Sequence, residues 1–228
     1  QELKKRYESL ENKYDKFLAE NYDYKANTYE TNKINLLSNP TSLYAKQPTV
    51  YYGLMYLAKN AKKEVKIHTP YIICNDYMYK ELKNIKVPTT IMTNSAENDG
   101  NIFGAVDYLN HKKDIINTGV TIKEYEGGIS YHGKSMTIDD DIAIVGSFNM
   151  DMRSAYIDTE LMLVINSKDI NKQLKASMEE YEKKAATVKN ETEYSHIPEG
   201  MKMKELSDKK KNIKAWFGWA MNGLRFLF

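Results

Sequence analysis

Apolar residues recur at steps of three and four along the first part of the chain: Leu3, Tyr7, Leu10, Tyr14 and Phe17. This spacing places apolar side chains along one stripe of an α-helix, while charged residues fill the remaining surface. We therefore predict a helix over residues 2–30. The stripe favours packing on a neighbouring domain or a connecting role, and self-association as a short coiled coil is the alternative.

Beyond residue 32, short β-branched runs alternate with longer amphipathic stretches. The pattern predicts strands at 33–38, 65–73, 87–94, 120–126 and 160–165, helices at 48–62, 75–85, 102–118 and 168–187, and a hairpin formed by SMTI and IAIV. Strands separated by helices indicate βα units, whereas the closely spaced last strands indicate antiparallel pairing. We therefore predict an α/β fold with a mixed, largely parallel sheet in an α/β/α sandwich.

Composition places the chain among ordinary globular proteins. It has 228 residues, of which 42% are hydrophobic and 28% charged, enough for one domain with appendages. We predict a connector helix over 1–32, a domain over 33–190 and a distinct C-terminal segment over 191–228. The single cysteine, Cys74, excludes an internal disulfide and a cysteine-rich metal site. Because the chain begins at Gln1, we expect it to be a fragment.

The end of the chain differs in character from the domain. Residues 201–214 are rich in lysine, and residues 215–228 include Trp216, Phe217, Trp219, Phe226 and Phe228. A basic run followed by an aromatic apolar helix is typical of a segment that lies in a lipid interface. We expect residues 201–228 to attach the protein to a membrane surface. Packing of this segment on the domain is the alternative.

The most informative stretch runs from residue 131 to residue 154. It reads H-x-K, four residues, D, six residues, G-S-x-N, formed by His132, Lys134, Asp139, Gly146, Ser147 and Asn149. At about 5% usage per residue type, this spacing should arise by chance about once in 10⁷ to 10⁸ starting positions. Residues two apart on a strand share a face. We therefore predict that His132 and Lys134 point together on one strand of the hairpin, as do Ser147 and Asn149 on the other.

These residue types suit a phosphodiester. The Lys134 ammonium offsets phosphate charge, and Ser147 and Asn149 donate hydrogen bonds to phosphate oxygens. A neutral His132 imidazole can attack phosphorus, since an ordinary histidine pKa near 6.5 leaves it mostly unprotonated at pH 7. An attacking imidazole needs an acceptor at its other ring nitrogen. Glu160 enters an apolar strand and is our candidate for that acceptor.

The spacing is similar to the signature of the phospholipase D superfamily, and the continuation NMDMRS and the later TEL most resemble its cardiolipin synthase branch. The resemblance covers residues 33–186 and implies the same sandwich architecture. It also implies that His132 is the phosphohistidine nucleophile or the acid–base partner. Carried over by position, it makes Lys134, Ser147 and Asn149 phosphate ligands and Glu160 the group that orients the histidine.

We predict a structural role in this block for four residues: Asp139, Gly146, Asp151 and Arg153. The resemblance implies that Asp139 is a structural hydrogen-bonding residue. Arg153 can reach phosphate or pair with Asp151, and we favour the pair. Asn94 and Ser95 end a strand, where they either line the mouth of the site or cap a helix.

The family's site needs two such motifs that face each other, and this chain carries one. The other H-x-K, which begins at His111, is not followed by G-S-x-N. We interpret the chain as resembling the C-terminal half, which carries the second motif. We expect the missing motif to come from an absent N-terminal part or from a homodimer mate. A lone motif should turn over poorly, so an isolated chain can be inactive.

We interpret the chain as part of an enzyme that transfers or hydrolyses phosphatidyl groups at a bacterial cell membrane. The resemblance implies that neither metal nor another cofactor is needed, because lysine and histidine of both motifs take that role. One alternative is a single-motif homodimeric phosphodiesterase that cleaves nucleic acid. It is disfavoured because the formal net charge is only +2 and no strongly basic groove is evident. Another alternative is a non-catalytic half that docks on a membrane or a partner.

Overall fold

The computed structural model describes residues 2–13, 23, 25–217 and 223–227. It divides into two compact units, residues 1–30 and residues 31–228.

The first unit contains helix α1 (Glu2–Lys13), which carries the apolar stripe with Leu3, Tyr7 and Leu10 exposed. The predicted helix is too long at its end, because residues 25–27 form a turn. The Asp23 carboxylate accepts the Ala26 N–H at 2.9 Å, a local bond that competes with helix formation. The remaining stripe positions, Tyr14 and Phe17, lie outside the described residues.

The second unit alternates strands and helices. In chain order they are β1 (Lys33–Ser38), α2 (Thr49–Lys59), β2 (Val65–His68), β3 (Ile72–Ile73), α3 (Asp76–Lys83), β4 (Thr89–Asn94), α4 (Ile102–Ile116), β5 (Thr121–Tyr125), β6 (Ser135–Ile138), β7 (Ile142–Gly146), β8 (Met150–Asp151), α5 (Met152–Tyr156), β9 (Leu161–Asn166), α6 (Lys168–Glu182), β10 (Ala185–Val188), β11 (Tyr194–His196), α7 (Asp208–Phe217) and a short 3₁₀ helix (Arg225–Leu227).

Most predicted elements occur where the pattern placed them, with one difference. The strand predicted over 65–73 is interrupted at Pro70, as the sequence indicates, and forms β2 and β3, because proline has no N–H to continue a ladder. The helix predicted over 168–187 ends at Glu182, so its last part is wrong. Ala185 and Ala186 are instead buried in β10, where they pair with β5.

The main sheet has the order β1-β9-β7-β6-β2-β4-β5-β10-β11. Among these described strands, β2–β4 and β4–β5 are the parallel pairs, and the other neighbouring pairs are antiparallel. The α/β class is confirmed, but the prediction of a largely parallel sheet is wrong. The βα units form only β2, β4 and β5 at the centre of the sheet. The strands on either side of these three run antiparallel to their neighbours.

Helices cover the two faces of this sheet. Ile67 of β2 belongs to the apolar core cluster that includes residues of α2 and α3. The neighbouring Lys66 and His68 point the opposite way and contact Glu179 and Glu182 of α6. Successive side chains of β2 thus contact helices on opposite faces of the sheet. This is the α/β/α sandwich that the sequence predicted.

Several neighbouring strands begin or end at the same end of the sheet. His68 at the end of β2 lies opposite Ser135 at the start of β6, and Ser135 lies opposite Val145 of β7. Val145 in turn lies opposite Leu163 near the start of β9. The segments at these strand ends carry His132, Lys134, Ser147 and Asn149, so the topology gathers these four residues at one end of the strands. Asp139 lies in the turn at the opposite end of the hairpin.

The described part of the C-terminal segment packs on the domain, which is the alternative that the sequence left open. The buried Lys210 ammonium donates to the carbonyl oxygens of Ala96, Glu97 and Asp99 at 2.7–2.9 Å. Trp219 and Phe228 lie outside the described residues, as does the side chain of Phe217. No helix in the described ranges is long and apolar enough to cross a membrane.

Candidate active site

His132 and Lys134 lie in the segment that leads into β6, and Ser147 and Asn149 follow the end of β7. The prediction that these pairs lie within the hairpin strands is therefore wrong by one to three residues. The Gly146 N–H still donates to the Lys134 carbonyl at 3.2 Å, so both segments leave the hairpin side by side. The four residues thus share one end of the hairpin.

The His132 ring is in direct contact with Lys134. The ammonium nitrogen lies 2.9 Å from Nδ1 and 3.2 Å from Nε2 of the imidazole, and 3.0 Å from the His132 carbonyl. The Tyr71 hydroxyl lies 3.3 Å from Nε2. His132 is exposed, so a ligand in solvent can reach it.

Partial burial and this contact both favour the neutral imidazole. Partial burial and the positive charge of Lys134 lower the pKa of His132 below its ordinary value. Burial also lowers the pKa of Lys134, an effect that the negative charges of Glu160 and Asp151 oppose. A neutral imidazole beside an ammonium pairs a nucleophile with a group that attracts phosphate.

Glu160 is buried and accepts hydrogen bonds from two serine hydroxyls. Ser147 Oγ contacts Oε2 at very short range, and Ser154 Oγ lies 3.0 Å from Oε1. The structure therefore gives the Glu160 carboxylate other partners than the predicted His132 ring. Ser147 Oγ also accepts the Leu161 N–H at 3.0 Å, so its hydroxyl is fixed where β9 begins.

Asn149 and Asp151 lie on the other side of this serine–carboxylate group. The Asn149 N–H donates to Ser154 Oγ at 3.3 Å, and the buried amide oxygen of its side chain has no partner among the described residues. Asp151 caps α5 by accepting the Ser154 N–H at 2.6 Å, and burial raises the pKa of its carboxyl to about 6. The Asn149 amide oxygen is thus buried without a hydrogen bond among the described residues.

Arg153 does not form the pair that we favoured. Its Nε donates to Asp158 at 3.0 Å, and its guanidinium also donates to the Leu227 carbonyl at 3.2 Å. The predicted partner, Asp151, is engaged by the first turn of α5, where a capping carboxylate belongs. Arg153 therefore holds the C-terminal 3₁₀ helix against α5.

Asp139 stabilises the turn of the hairpin. It has a positive φ of 50°, and its carboxylate accepts the backbone N–H groups of Lys62, Lys63 and Glu64. Burial acts to raise the pKa of Asp139, but these hydrogen bonds outweigh it and leave the pKa below its ordinary value. Asp139 thereby ties the turn to the segment that enters β2.

Sequence reasoning gave Asn94 two possible roles and did not find its actual one. The buried side chain donates to the carbonyls of Pro70 and Tyr131 at 3.1 and 2.9 Å, and accepts from Tyr131 N–H and Asn98 at 2.8 and 3.1 Å. Both backbone groups of Tyr131 are therefore held next to His132. The sequence showed only an asparagine at the end of a strand, and asparagine has many other roles at such positions. Tyr71, beside His132, carried no signal at all.

The second H-x-K, which begins at His111, lies on helix α4. His111 Nδ1 lies 3.1 Å from Asp114 on the same helix, and the buried Lys112 ammonium lies 2.6 Å from Glu124. These partners belong to α4 and β5, and not to the edge of the sheet that carries His132. The described chain thus contributes one motif.

The sequence of the chain matches a known protein family. A family model for the cardiolipin synthase PLD-like domain matches residues 54–181, more than half of the chain. Cardiolipin synthase 1 of Staphylococcus epidermidis is 30% identical over 159 residues, which are 68% of this chain and 32% of that protein. The chain thus spans about a third of the length of this relative.

Solved structures share the fold at low sequence identity. The phospholipase D family member Nuc from Salmonella typhimurium has a TM-score of 0.55 at 16% identity, over 68% of this chain and 97% of that chain. Phosphatidylserine synthase from Haemophilus influenzae has a TM-score of 0.62 at 16% identity, over 86% of this chain and 48% of that chain.

Proposed function

The chain belongs to the cardiolipin synthase family of phospholipase D-like domains, and we propose that it supplies one of two motifs to a site that transfers or hydrolyses phosphatidyl groups. The observation that carries this proposal is the contact between the exposed His132 imidazole and the Lys134 ammonium, 2.9 Å apart. Ser147 and Asn149 lie at the same end of the hairpin. Together these side chains can surround one phosphoryl group.

In the proposed reaction, Lys134 binds a non-bridging oxygen of the phosphodiester, with Ser147 and Asn149 beside it. A lone pair of the His132 imidazole forms a P–N bond, and the bond from phosphorus to one ester oxygen breaks. The departing alkoxide takes a proton from the histidine of the second motif. Water or an alcohol then attacks phosphorus, gives its proton back to that histidine and releases His132. If the second histidine is the nucleophile, His132 performs the proton transfers instead.

The second motif has a further role in this scheme. Both oxygens of Glu160 accept from serines, and none of its hydrogen bonds in the described structure is to His132, so we propose that the carboxylate that orients His132 comes from the second unit. A second copy of the chain or another part of a longer polypeptide can supply both the histidine and that acceptor. The site is therefore proposed to form between two motif-bearing units.

We further propose that the protein attaches peripherally to a bacterial membrane. Trp216 is 82% exposed, and Leu224 and Phe226 are each 48% exposed. Arg225 forms two hydrogen bonds with the buried Asp107 and a third with the Cys74 carbonyl, so the last turn is fixed on the domain. Aromatic and apolar groups on an anchored basic segment can enter the interfacial layer of a lipid bilayer.

A substrate comparison tests the chemistry. The complete gene product is incubated with a labelled phospholipid in mixed micelles and, separately, with labelled single-stranded DNA. We expect release or transfer of the phosphatidyl group and no cleavage of DNA, because no strongly basic groove was evident in the sequence. Cleavage of DNA without lipid turnover would instead support the homodimeric nuclease, and binding without turnover of either would support a docking role.

A further inference from the structure

A buried histidine outside the motif lies next to the candidate site. His68, at the end of β2, is 1% exposed, and both nitrogens of its ring have partners. Nε2 lies 3.2 Å from Oε1 of Glu182 on α6, and Nδ1 lies 3.2 Å from the hydroxyl oxygen of Tyr131. Tyr131 directly precedes His132 in the chain. The ring of His68 thus connects a helix to the segment that carries the motif.

The charges around His68 indicate which atom donates in each hydrogen bond. Burial lowers the pKa of His68 and so favours the neutral ring, an effect that Glu182 opposes. Burial acts to raise the pKa of Glu182, but hydrogen bonds from His68 and Lys123 outweigh it and bring that pKa to about 2. An ionised carboxylate only accepts, so a neutral His68 ring donates its Nε2–H to Glu182. Nδ1 is then an acceptor, and the Tyr131 hydroxyl donates to it.

The Tyr131 hydroxyl also lies directly against the backbone of Gly133. A Cβ built on Gly133 would be 2.2 Å from the hydroxyl oxygen of Tyr131 and 2.5 Å from its Cζ. So close an approach requires a residue without a side chain. Gly133 separates His132 from Lys134. The tip of the phenol therefore touches the backbone from which both motif side chains project.

Tyr131 is held at three places. Asn94 bonds to its N–H and its carbonyl at 2.8 and 2.9 Å, its ring meets that of Tyr181 edge to face at 4.8 Å, and its hydroxyl contacts His68. Burial raises the pKa of Tyr131 to about 12, so the hydroxyl keeps its proton at neutral pH. Loss of the bond to His68 would release only the tip of the ring, which is the part that touches Gly133.

We propose that His68 is a positioning residue, which holds residues 132–134 in the geometry for phosphoryl transfer through the hydroxyl of Tyr131. Glu182 fixes the orientation of the His68 ring. The inference rests on the proposed function, because it assumes that the motif side chains act on one phosphoryl group. It extends that function to two residues, His68 and Glu182, that lie outside the motif and do not take part in the bond changes.

Two substitutions of His68 separate its two hydrogen bonds. The amide of asparagine places an acceptor near the position of Nδ1, whereas the amide of glutamine places a donor near the position of Nε2. His68→Gln should therefore lose the contact with Tyr131, and His68→Asn should keep it. We expect His68→Gln to lower the kcat of the complete gene product on phospholipid about tenfold with KM within about twofold, because misplaced reacting groups slow the chemical step. His68→Asn should retain kcat within about twofold.

Tyr131→Phe tests the same link without changing His68. It should lower kcat about as much as His68→Gln does, and the double variant should lose no more than either single variant, because both changes break one hydrogen bond. Tyr181→Phe is the matched control. It removes a hydroxyl from a ring that also contacts Tyr131, but the hydroxyl that contacts His68 belongs to Tyr131. Its kcat should stay within about twofold.

The NMR signal of the His132 ring in the 228-residue chain gives a readout without turnover. His68→Gln and Tyr131→Phe should shift this signal in the same direction, whereas His68→Asn should leave it in place. The positioning role is overturned if His68→Gln and Tyr131→Phe both keep full kcat while His132→Ala abolishes turnover, or if His68→Asn loses as much kcat as His68→Gln. If turnover survives His132→Ala, the proposed function itself fails, whatever the behaviour of His68.

Discussion

Replacing His132 by alanine is expected to lower phospholipid turnover by at least about 10³-fold. Whether His132 attacks phosphorus or transfers the proton, no other described side chain in contact with Lys134 offers an imidazole. The residual rate would come from binding by Lys134 and Ser147 alone. The measurement is the initial rate of the complete gene product at saturating lipid.

His111→Ala provides the matched control. This histidine also begins an H-x-K, but it lies on α4 beside Asp114. Its removal should leave the turnover rate within about twofold, because His111 and its partner Asp114 lie on α4 and neither hydrogen-bonds with His132 or Lys134. An unchanged rate in the His132 variant, or equal losses in both variants, would remove His132 from the site.

Gly146→Ala is expected to destabilise the domain by about 2–3 kcal/mol, because overpacking typically costs about 1–3 kcal/mol. A Cβ at this position would lie 2.1 Å from the Leu161 carbonyl oxygen and 2.6 Å from the sulfur of Met162. The backbone oxygen cannot rotate away, so the ends of β7 and β9 would have to separate. Ser147 and Glu160 would move with them. Urea unfolding followed by circular dichroism measures the loss.

Gly100→Ala is the control for this substitution. A Cβ there meets only Ser130, at 3.6 Å, which is ordinary contact. We expect a change within about 0.5 kcal/mol. Equal stabilities of the two variants would show that the close approach of β7 to β9 is not the reason for a glycine at position 146.

Much of the site could be predicted because its members are near each other in sequence. A short apolar hairpin brings His132 and Lys134 beside Ser147 and Asn149, whatever the rest of the chain does. The spacing of these residues along the sequence was therefore enough to predict that they lie together. The pattern located β6 to the residue and β7 to within one residue. It did not show that His132 and Lys134 precede the ladder and that Ser147 and Asn149 follow it, because where a ladder ends depends on neighbouring strands.

Features that depend on distant partners were not predictable. The direction of each strand follows from where its connection returns, and an apolar run reads alike in parallel and antiparallel pairs. One hydrogen bond to Glu160 comes from Ser154, which α5 brings close. Asp151 does not pair with Arg153, because it caps the helix on which Arg153 lies. The anchor of the C-terminal segment similarly relies on Asp107, more than one hundred residues away in the chain.

The central claim is that His132 and Lys134 receive one phosphoryl group, and the most direct test is the NMR titration of the His132 ring with and without inorganic phosphate. We predict a pKa below the ordinary 6.5 without phosphate, because burial and Lys134 both disfavour the imidazolium. Bound phosphate should raise that pKa, since a neighbouring anion favours the charged ring. Lys134→Met should raise the pKa in the absence of phosphate and suppress the response to it. A His132 pKa that phosphate does not change, or a response that Lys134→Met leaves intact, would contradict the assignment.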